Sequence, residues 1–334
     1  MAESSRSKSE STATGMAFER SIREIESQLG ELEEISTRTN LDLSSEIEAL
    51  KRRLLEEIRK TYSNLSAWER VNVARHTSRP VATDYVEKIC DDFIELCGDK
   101  AFGDDKAILT GFGRVGERRF LLVAHRKGRT TKERMAFNFG CAHPEGYRKA
   151  LRKMRLAAKL RLPIVSLINT PGAYPGIGAE ERGQAAAIAE NILEMLELRT
   201  PILVIVIGEG GSGGALGIGV GDRVFMLEHS YYSVISPEGC AAILWKDGER
   251  TPDAAESLRL TAADLLRHGL IDGIVPEPPG GAHRAPAEAA DAVRRTILEE
   301  LEALTRVPIA DLLSSRREKY RRAGALPGRF PRVE

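Results

Sequence analysis

Residues 201–222 read PILVIVIGEGGSGGALGIGVGD, and the fold turns on what this stretch is. The run ILVIVI at 202–207 predicts a strand buried on both faces, because no polar residue alternates with the apolar ones. The glycines behind it fit two short patterns at once. Gly208-Glu-Gly210-Gly-Ser-Gly213 has the GxGxxG spacing of a dinucleotide cradle, and Gly210-Gly-Ser212-Gly-Gly214 has the GxSxG spacing of a nucleophile elbow.

The nucleotide reading gains an acid at the ribose-binding distance, Glu228, but fails on the crossover. Only ALGIGVG separates Gly214 from Asp222, whereas a βαβ unit needs a dozen or more residues around a helix. Glycines at 217, 219 and 221 each cost about 1 kcal/mol against alanine in a helix interior. No Gly-Lys-Ser/Thr follows, so a Walker A loop fails too. The elbow reading makes Ser212 a nucleophile, with His229, His268 or His283 as base and Asp264 or Asp272 as orienter; no local pattern ties any of them to the serine. A third reading uses only the main chain. Residues without Cβ let peptide N–H groups approach a ligand, and at a strand end that opens a helix those groups converge where the helix dipole is positive. That is an oxyanion hole, in which one donor is worth roughly 3–4 kcal/mol of transition-state stabilisation. A side chain at Gly213 or Gly214 is then expected to block the ligand while leaving the fold intact.

Outward from this stretch the pattern alternates. Residues 106–114 and 118–124 predict a hairpin, and 144–160 an amphipathic helix with Tyr147, Leu151, Met154 and Ala158 on one face. A strand at 162–168 leads into the loop NTPGAYPGIG, followed by a helix over 181–198 that Pro201 halts. Further strands are predicted at 223–227 and 270–275, with helices opening at Ser236-Pro237 and at Thr261, the latter closed by Gly269. Alternating strands and helices make an α/β core of layered sheets. Residues 18–65 carry apolar positions at helical spacing, with a capping box at Ser45-Glu-Ile-Glu48. The expected divisions are a disordered leader at 1–16, a helical region at 17–78, an α/β domain at 79–305 and a charged tail at 306–334, with a solvated helix end at 314–322.

Lys+Arg and Asp+Glu both number 49, so global charge points to neither nucleic acid nor membrane. No apolar run approaches the roughly 18 residues that span a bilayer, and the first fifteen residues lack the apolar core of a signal peptide, which predicts a cytoplasmic address. Cys90, Cys97, Cys141 and Cys240 form no C-x-x-C pair, so no metal site is expected.

As a set, GEGGSGGALGIGVGD at 208–222, NTPGAYPGIGAEERGQ at 169–184, YSVISPEGCAAILWK at 232–246 and HRKGRTTKE at 125–133 resemble the α subunit of bacterial acetyl-coenzyme A carboxylase carboxyltransferase. The segments at 74–85, 138–152 and 274–284 agree. Asn169 stands where that family usually has aspartate, Cys141-Ala142 where Met-Pro is usual, and Thr130 where glutamate is common. The resemblance implies a crotonase-like (ClpP/crotonase) fold of repeated ββα units with an N-terminal helical arm. It implies transfer of the carboxyl group from carboxybiotin, borne on a separate carrier protein, to acetyl-coenzyme A. The product is malonyl-coenzyme A, the committed step of fatty acid biosynthesis. The biotin ring becomes a ureido anion and the thioester an enolate, so two oxyanion sites are needed, the α chain facing biotin. Carried onto this sequence, the donors are backbone N–H groups of Gly213, Gly214 and Ala215. Gly172, Ala173, Tyr174, Gly210 and Gly211 line the cavity. His125, Lys127 and Arg129 read either as contacts for coenzyme A phosphates or the carrier's carboxylate, or as a solvated basic loop. The implied partners are a zinc-ribbon-bearing β subunit in an α2β2 arrangement, the biotin carboxyl carrier protein, and a biotin carboxylase subunit where ATP is used.

Two other functions compete. The same superfamily supports serine peptidases, which would use Ser212. The helix bearing Arg148, Lys149, Arg152, Lys153, Arg155 and Lys159 is basic on its outer face and could meet RNA, although without interleaved aromatics a solvated or subunit-facing helix reads better. Glu180 and Glu181 suit the first turn of a helix rather than a catalytic pair.

Overall fold

The computed structural model describes residues 16–39 and 41–324; residues 1–15 of the expected leader and 325–334 of the expected tail lie outside them. Its centre is a sheet of strands β1 (Asp92–Glu95), β2 (Ile108–Val115), β3 (Arg118–His125), β4 (Ile164–Thr170), β5 (Ile202–Gly211), β6 (Arg223–Leu227), β7 (Tyr231–Ser233) and β8 (Gly273–Val275). The order is β1-β2-β3-β4-β5-β6-β8, with β7 paired to the far end of β5. The first three strands are antiparallel, and from β3 onward every pair is parallel.

Both faces of the sheet are covered, which is why the strands read as unbroken apolar runs. In β5, Ile202, Val204 and Val206 join one core with Tyr147, Met154, Met195 and Ala215. The alternate residues Leu203, Ile205 and Ile207 join the other with Tyr85, Val293, Ile297 and Leu301. The sequence ends this strand at 207; it runs to Gly211 because Glu209, Gly210 and Gly211 find ladder partners in Tyr231, Tyr232 and Ser233. The helix expected over 181–198 is two, Ile177–Glu181 and Gln184–Glu197, broken where Gly183 takes φ +80°.

The N-terminal region is a hairpin of helices α1 (Arg20–Thr39) and α2 (Ser44–Ser63). Its base alone is buried, with Ile22, Ile58, Tyr62 and Leu65 packed on Val73. The Ser45 capping box does not form: α2 begins at Ser44, whose N–H donates to Asp42 Oδ1 at 3.1 Å.

The solvated helix end expected at 314–322 is a correction. The helix Ile309–Arg322 docks on the body, and Arg316 is only 1% exposed. Its guanidinium donates to the carbonyls of Met195, Leu198 and Thr200 and to both Asp222 oxygens. A charged run can hide such a residue because the planar fork meets five acceptors at once. Arg316→Lys keeps the charge and loses the fork, so thermal unfolding of the full chain should show a loss of about 2 kcal/mol. An unchanged midpoint would mean that the fork does not hold the helix.

Candidate active site

The glycine-rich end of β5 and the loop after β4 lie backbone against backbone. Their ladder shifts after Ile168, so that Thr170 pairs with Gly210. Asn169 Oδ1 accepts the Glu209 N–H at 3.1 Å. A Cβ built on Gly214 would overlap the Gly172 carbonyl carbon and the Ala173 nitrogen and lie 2.8 Å from the Gly172 oxygen. A Cβ on Gly211 would fall inside the Pro171 carbonyl. The glycines at 211 and 214 are therefore demanded by packing. Gly213 differs, because a Cβ there meets nothing closer than Ile188 at 3.8 Å.

A short helix, Ser212–Leu216, follows β5. Gly213 and Gly214 are the second and third residues of that helix, where an amide has no acceptor within the helix, and neither amide bonds to the loop after β4. Across the contact, the Gly172 amide is held by Thr170 Oγ1 at 3.1 Å and the Tyr174 amide by the Ala142 carbonyl at 3.1 Å. The Ala173 amide between them is free. Free donors from two adjoining loops, next to a helix start, make a site that attracts negative oxygen. The Tyr147 hydroxyl donates to the Gly214 carbonyl at 3.3 Å and steadies the turn from below.

Glu209 anchors this region, and nothing in the linear pattern marks it. It is 3% exposed, and its carboxylate pairs with Lys127 and with Arg75 Nε at 2.7 Å. The Tyr231 hydroxyl donates to it at 2.7 Å, and Arg75 also pairs with Glu238. Burial alone pushes the Glu209 carboxyl up, but Lys127 and Arg75 outweigh it and hold it down at about 2. One carboxylate thus ties β5 to β7, to the loop after β3 and to the helix Ala67–Ala74 that carries the chain into Arg75.

The expected site residues divide. Gly213, Gly214, Ala215, Gly172 and Ala173 come together. Tyr174 adjoins them and stacks on His143 at 4.1 Å between ring centroids. Gly210 and Gly211 are ladder residues of β5. Lys127 is engaged by Glu209, and Arg129, more than half exposed, lies against the Asp84 carboxylate. His125 is fully buried; burial pushes its imidazole down to about 3 despite the adjacent Gly214 backbone, so it stays neutral and faces no phosphate. Ser212 is exposed and takes φ +49°, the left-handed conformation of a nucleophile elbow, yet its hydroxyl has no hydrogen-bond partner among the described residues. Beside Ser212 and Gly213 a cavity of about 430 Å³ opens, walled by Leu216, Tyr232, Val234 and Leu270. Walls of this kind suit a ligand that is largely apolar. No group of three or more His, Cys, Asp or Glu is placed to hold a metal among the described residues, and no helix there is long and apolar enough to cross a membrane.

A family model described as acetyl co-enzyme A carboxylase carboxyltransferase-like matches residues 15–324. Proteins named acetyl-coenzyme A carboxylase carboxyl transferase subunit alpha are close in sequence. The one from Rhodopirellula baltica is 51% identical over 310 residues, covering 93% of this chain and 97% of its own. The one from Xanthomonas axonopodis pv. citri is 52% identical over 311 residues, covering 93% and 98%. Solved structures share the fold at lower identity. A Pseudomonas malonate decarboxylase hetero-tetramer chain aligns with TM-score 0.54 at 16% identity, over 66% of this chain and 89% of that one. The P. aeruginosa geranyl-CoA carboxylase beta subunit gives 0.53 at 18%, over 76% and 45%. Transcarboxylase 12S gives 0.52 at 21%, over 64% and 41%. The fold is the crotonase-like α/β fold of carboxyltransferases.

Proposed function

This chain belongs to the family of acetyl-coenzyme A carboxylase carboxyltransferase α subunits, and from that premise we propose how its residues share the work of carboxyl transfer. It is a transferase subunit of a multi-subunit, biotin-dependent carboxylase and works with a β subunit. Carboxybiotin supplies the carboxyl group that reaches the methyl carbon of acetyl-coenzyme A. The Gly213 and Gly214 amides, with Ala215 behind them, hold the biotin ring oxygen. Ala173 offers a further donor, and Gly172 and Tyr174 shape the cavity wall. Lys127 and Arg129 act as loop anchors, through Glu209 and Asp84, rather than as phosphate ligands. In this reading the β chain bears the zinc ribbon and the enolate site, the pair forms an α2β2 unit in the cytoplasm, and biotin arrives on a carrier protein charged at a separate ATP-using subunit.

The observation that carries the reading is the placement of the Gly213 and Gly214 amides in the first turn of the helix after β5, where the helix itself offers them no acceptor and they remain to donate to a negative oxygen. The test is co-expression with the β subunit: the pair should co-purify in equal amounts and decarboxylate malonyl-coenzyme A only when biotin is added. A pair that ignores biotin would overturn it.

The left-handed backbone at Ser212 is the one feature that favours a peptidase, since strained serines of this kind serve as nucleophiles. Without a base on its hydroxyl the serine is not activated. Ser212→Ala should leave the transfer rate within about threefold of the parent, against the thousandfold or greater loss that a nucleophile would show.

A further inference from the structure

The helix Pro144–Lys159 carries two inward lysines one turn apart, and only one of them meets an anion. Lys149, 1% exposed, donates to Asp104 Oδ1 at 2.7 Å and to the Asp105 carbonyl at 2.6 Å. Lys153, 8% exposed, reaches only the carbonyls of Cys97 and Gly98, at 3.3 and 3.5 Å. This corrects the outward-facing basic helix expected from the sequence, in which both lysines pointed to solvent. An ammonium withdrawn from water without a carboxylate is costly to keep.

The surroundings make the charge worse. Lys100, Arg152 and Lys159 gather around Lys153, and among the described residues none of the three has a carboxylate partner; Arg155 is held by Glu190 and Glu194. These side chains, with Leu96 and Leu156, line a cleft of about 420 Å³. Burial, followed by Arg152, Lys100 and Lys149, pushes the Lys153 ammonium below the ordinary lysine value. The chain as a whole has as many acids as bases, so composition does not account for an uncompensated cluster. A multiply charged anion would relieve it, and the two leucines offer apolar walls for a flat ring.

We propose that this cleft binds a nucleoside polyphosphate, its base against Leu96 and Leu156 and its phosphates on Lys100, Arg152, Lys153 and Lys159. The same chemistry is presented by free ADP or ATP and by the nucleotide end of coenzyme A. The cleft is distinct from the glycine turn: Tyr147 touches Gly214, whereas Arg152, Lys153 and Lys159 follow five, six and twelve residues further along the helix, roughly 8 to 18 Å away at 1.5 Å per residue.

Equilibrium dialysis of the assembled enzyme at about 50 mM salt tests it, with ADP, ATP, coenzyme A, inorganic triphosphate and a single-stranded RNA as probes. One nucleotide per α chain should bind, more tightly than triphosphate. Lys153→Met and Arg152→Gln should each weaken it about tenfold, and Leu156→Glu should do so with every cation in place. If free nucleotide is the ligand, biotin-dependent malonyl-coenzyme A decarboxylation should be unchanged in these variants; if the coenzyme A tail is the ligand, its KM should rise with kcat unchanged. Binding of ADP and ATP would identify free nucleotide as the source, and binding of coenzyme A alone would identify the substrate's own tail; both support the site. No retention at millimolar nucleotide, an unaffected Lys153→Met variant, or RNA or triphosphate held as tightly as nucleotide would overturn it.

Discussion

Gly214→Ala is expected to lower carboxyl transfer by a hundredfold or more and to lower stability as well. The added methyl has no room: it overlaps the Gly172 carbonyl carbon and the Ala173 nitrogen, both main chain, which cannot turn aside as a side chain would. Forcing the two loops apart costs about 1–3 kcal/mol, and the displaced amide loses its aim, worth roughly 10²–10³ in rate for one donor. Gly213→Val is the control that separates the two effects. Its Cβ has space, with Ile188 at 3.8 Å, and its φ is not left-handed, so the fold should hold while the bulk at the cavity mouth slows transfer about tenfold. The two glycines are not equivalent, which corrects the expectation that either substitution spares the fold. Malonyl-coenzyme A formation and thermal unfolding of both assembled variants read the difference. Equal melting points for Gly214→Ala and the parent would show that the loops are not in contact as described.

Glu209→Gln should be the most damaging single exchange outside the glycines. It leaves Lys127 and Arg75, each under a third exposed, without their shared anion, and breaking a buried pair in this way costs about 3–5 kcal/mol. As a positioning residue, Glu209 should affect kcat rather than the KM for acetyl-coenzyme A, by tenfold to a hundredfold, because the helix it anchors starts three residues on, at Ser212. The acid limb supplies a readout that simple packing would not. Glu209 falls from an ordinary 4.5 to about 2, and Glu277, buried against Arg79, does the same. Both folded values lie below the unfolded one, so the unfolded chain binds more protons in that interval. The stabilisation is complete above about pH 4.5 and is lost as pH falls toward 2, on the order of 3 kcal/mol for each group. Glu209→Gln should therefore remove its own share, on the order of 3 kcal/mol, from the fall in stability between pH 4.5 and 2, while Glu277 and other carboxylates held low, such as Asp99, Asp104, Glu145 and Glu238, keep theirs. A variant with the parent's acid slope would remove Glu209 from this role.

Much of this was legible in one dimension, for physical reasons. Strands buried on both faces announce themselves as uninterrupted apolar runs, and β4 and β5 do so. A crossover too short for a nucleotide-binding helix excludes the dinucleotide cradle from the sequence alone. What stayed hidden depends on long-range partners. Glu209 looks like an ordinary acid between glycines until Lys127 and Arg75 arrive from 82 and 134 residues away. Arg316 and Lys153 sit in charged stretches whose periodicity says solvent, and only the docked neighbours turn them inward. Residues 208–211 read as loop because β7, a three-residue strand that no apolar run announces, completes them as sheet.

Two segments some forty positions apart touch here with no side chain between them, so neither has slack of its own. Each serves as the mould for the other, and a change of length or direction in one leaves its mate without a surface to close on. They would have to be transplanted as a single piece.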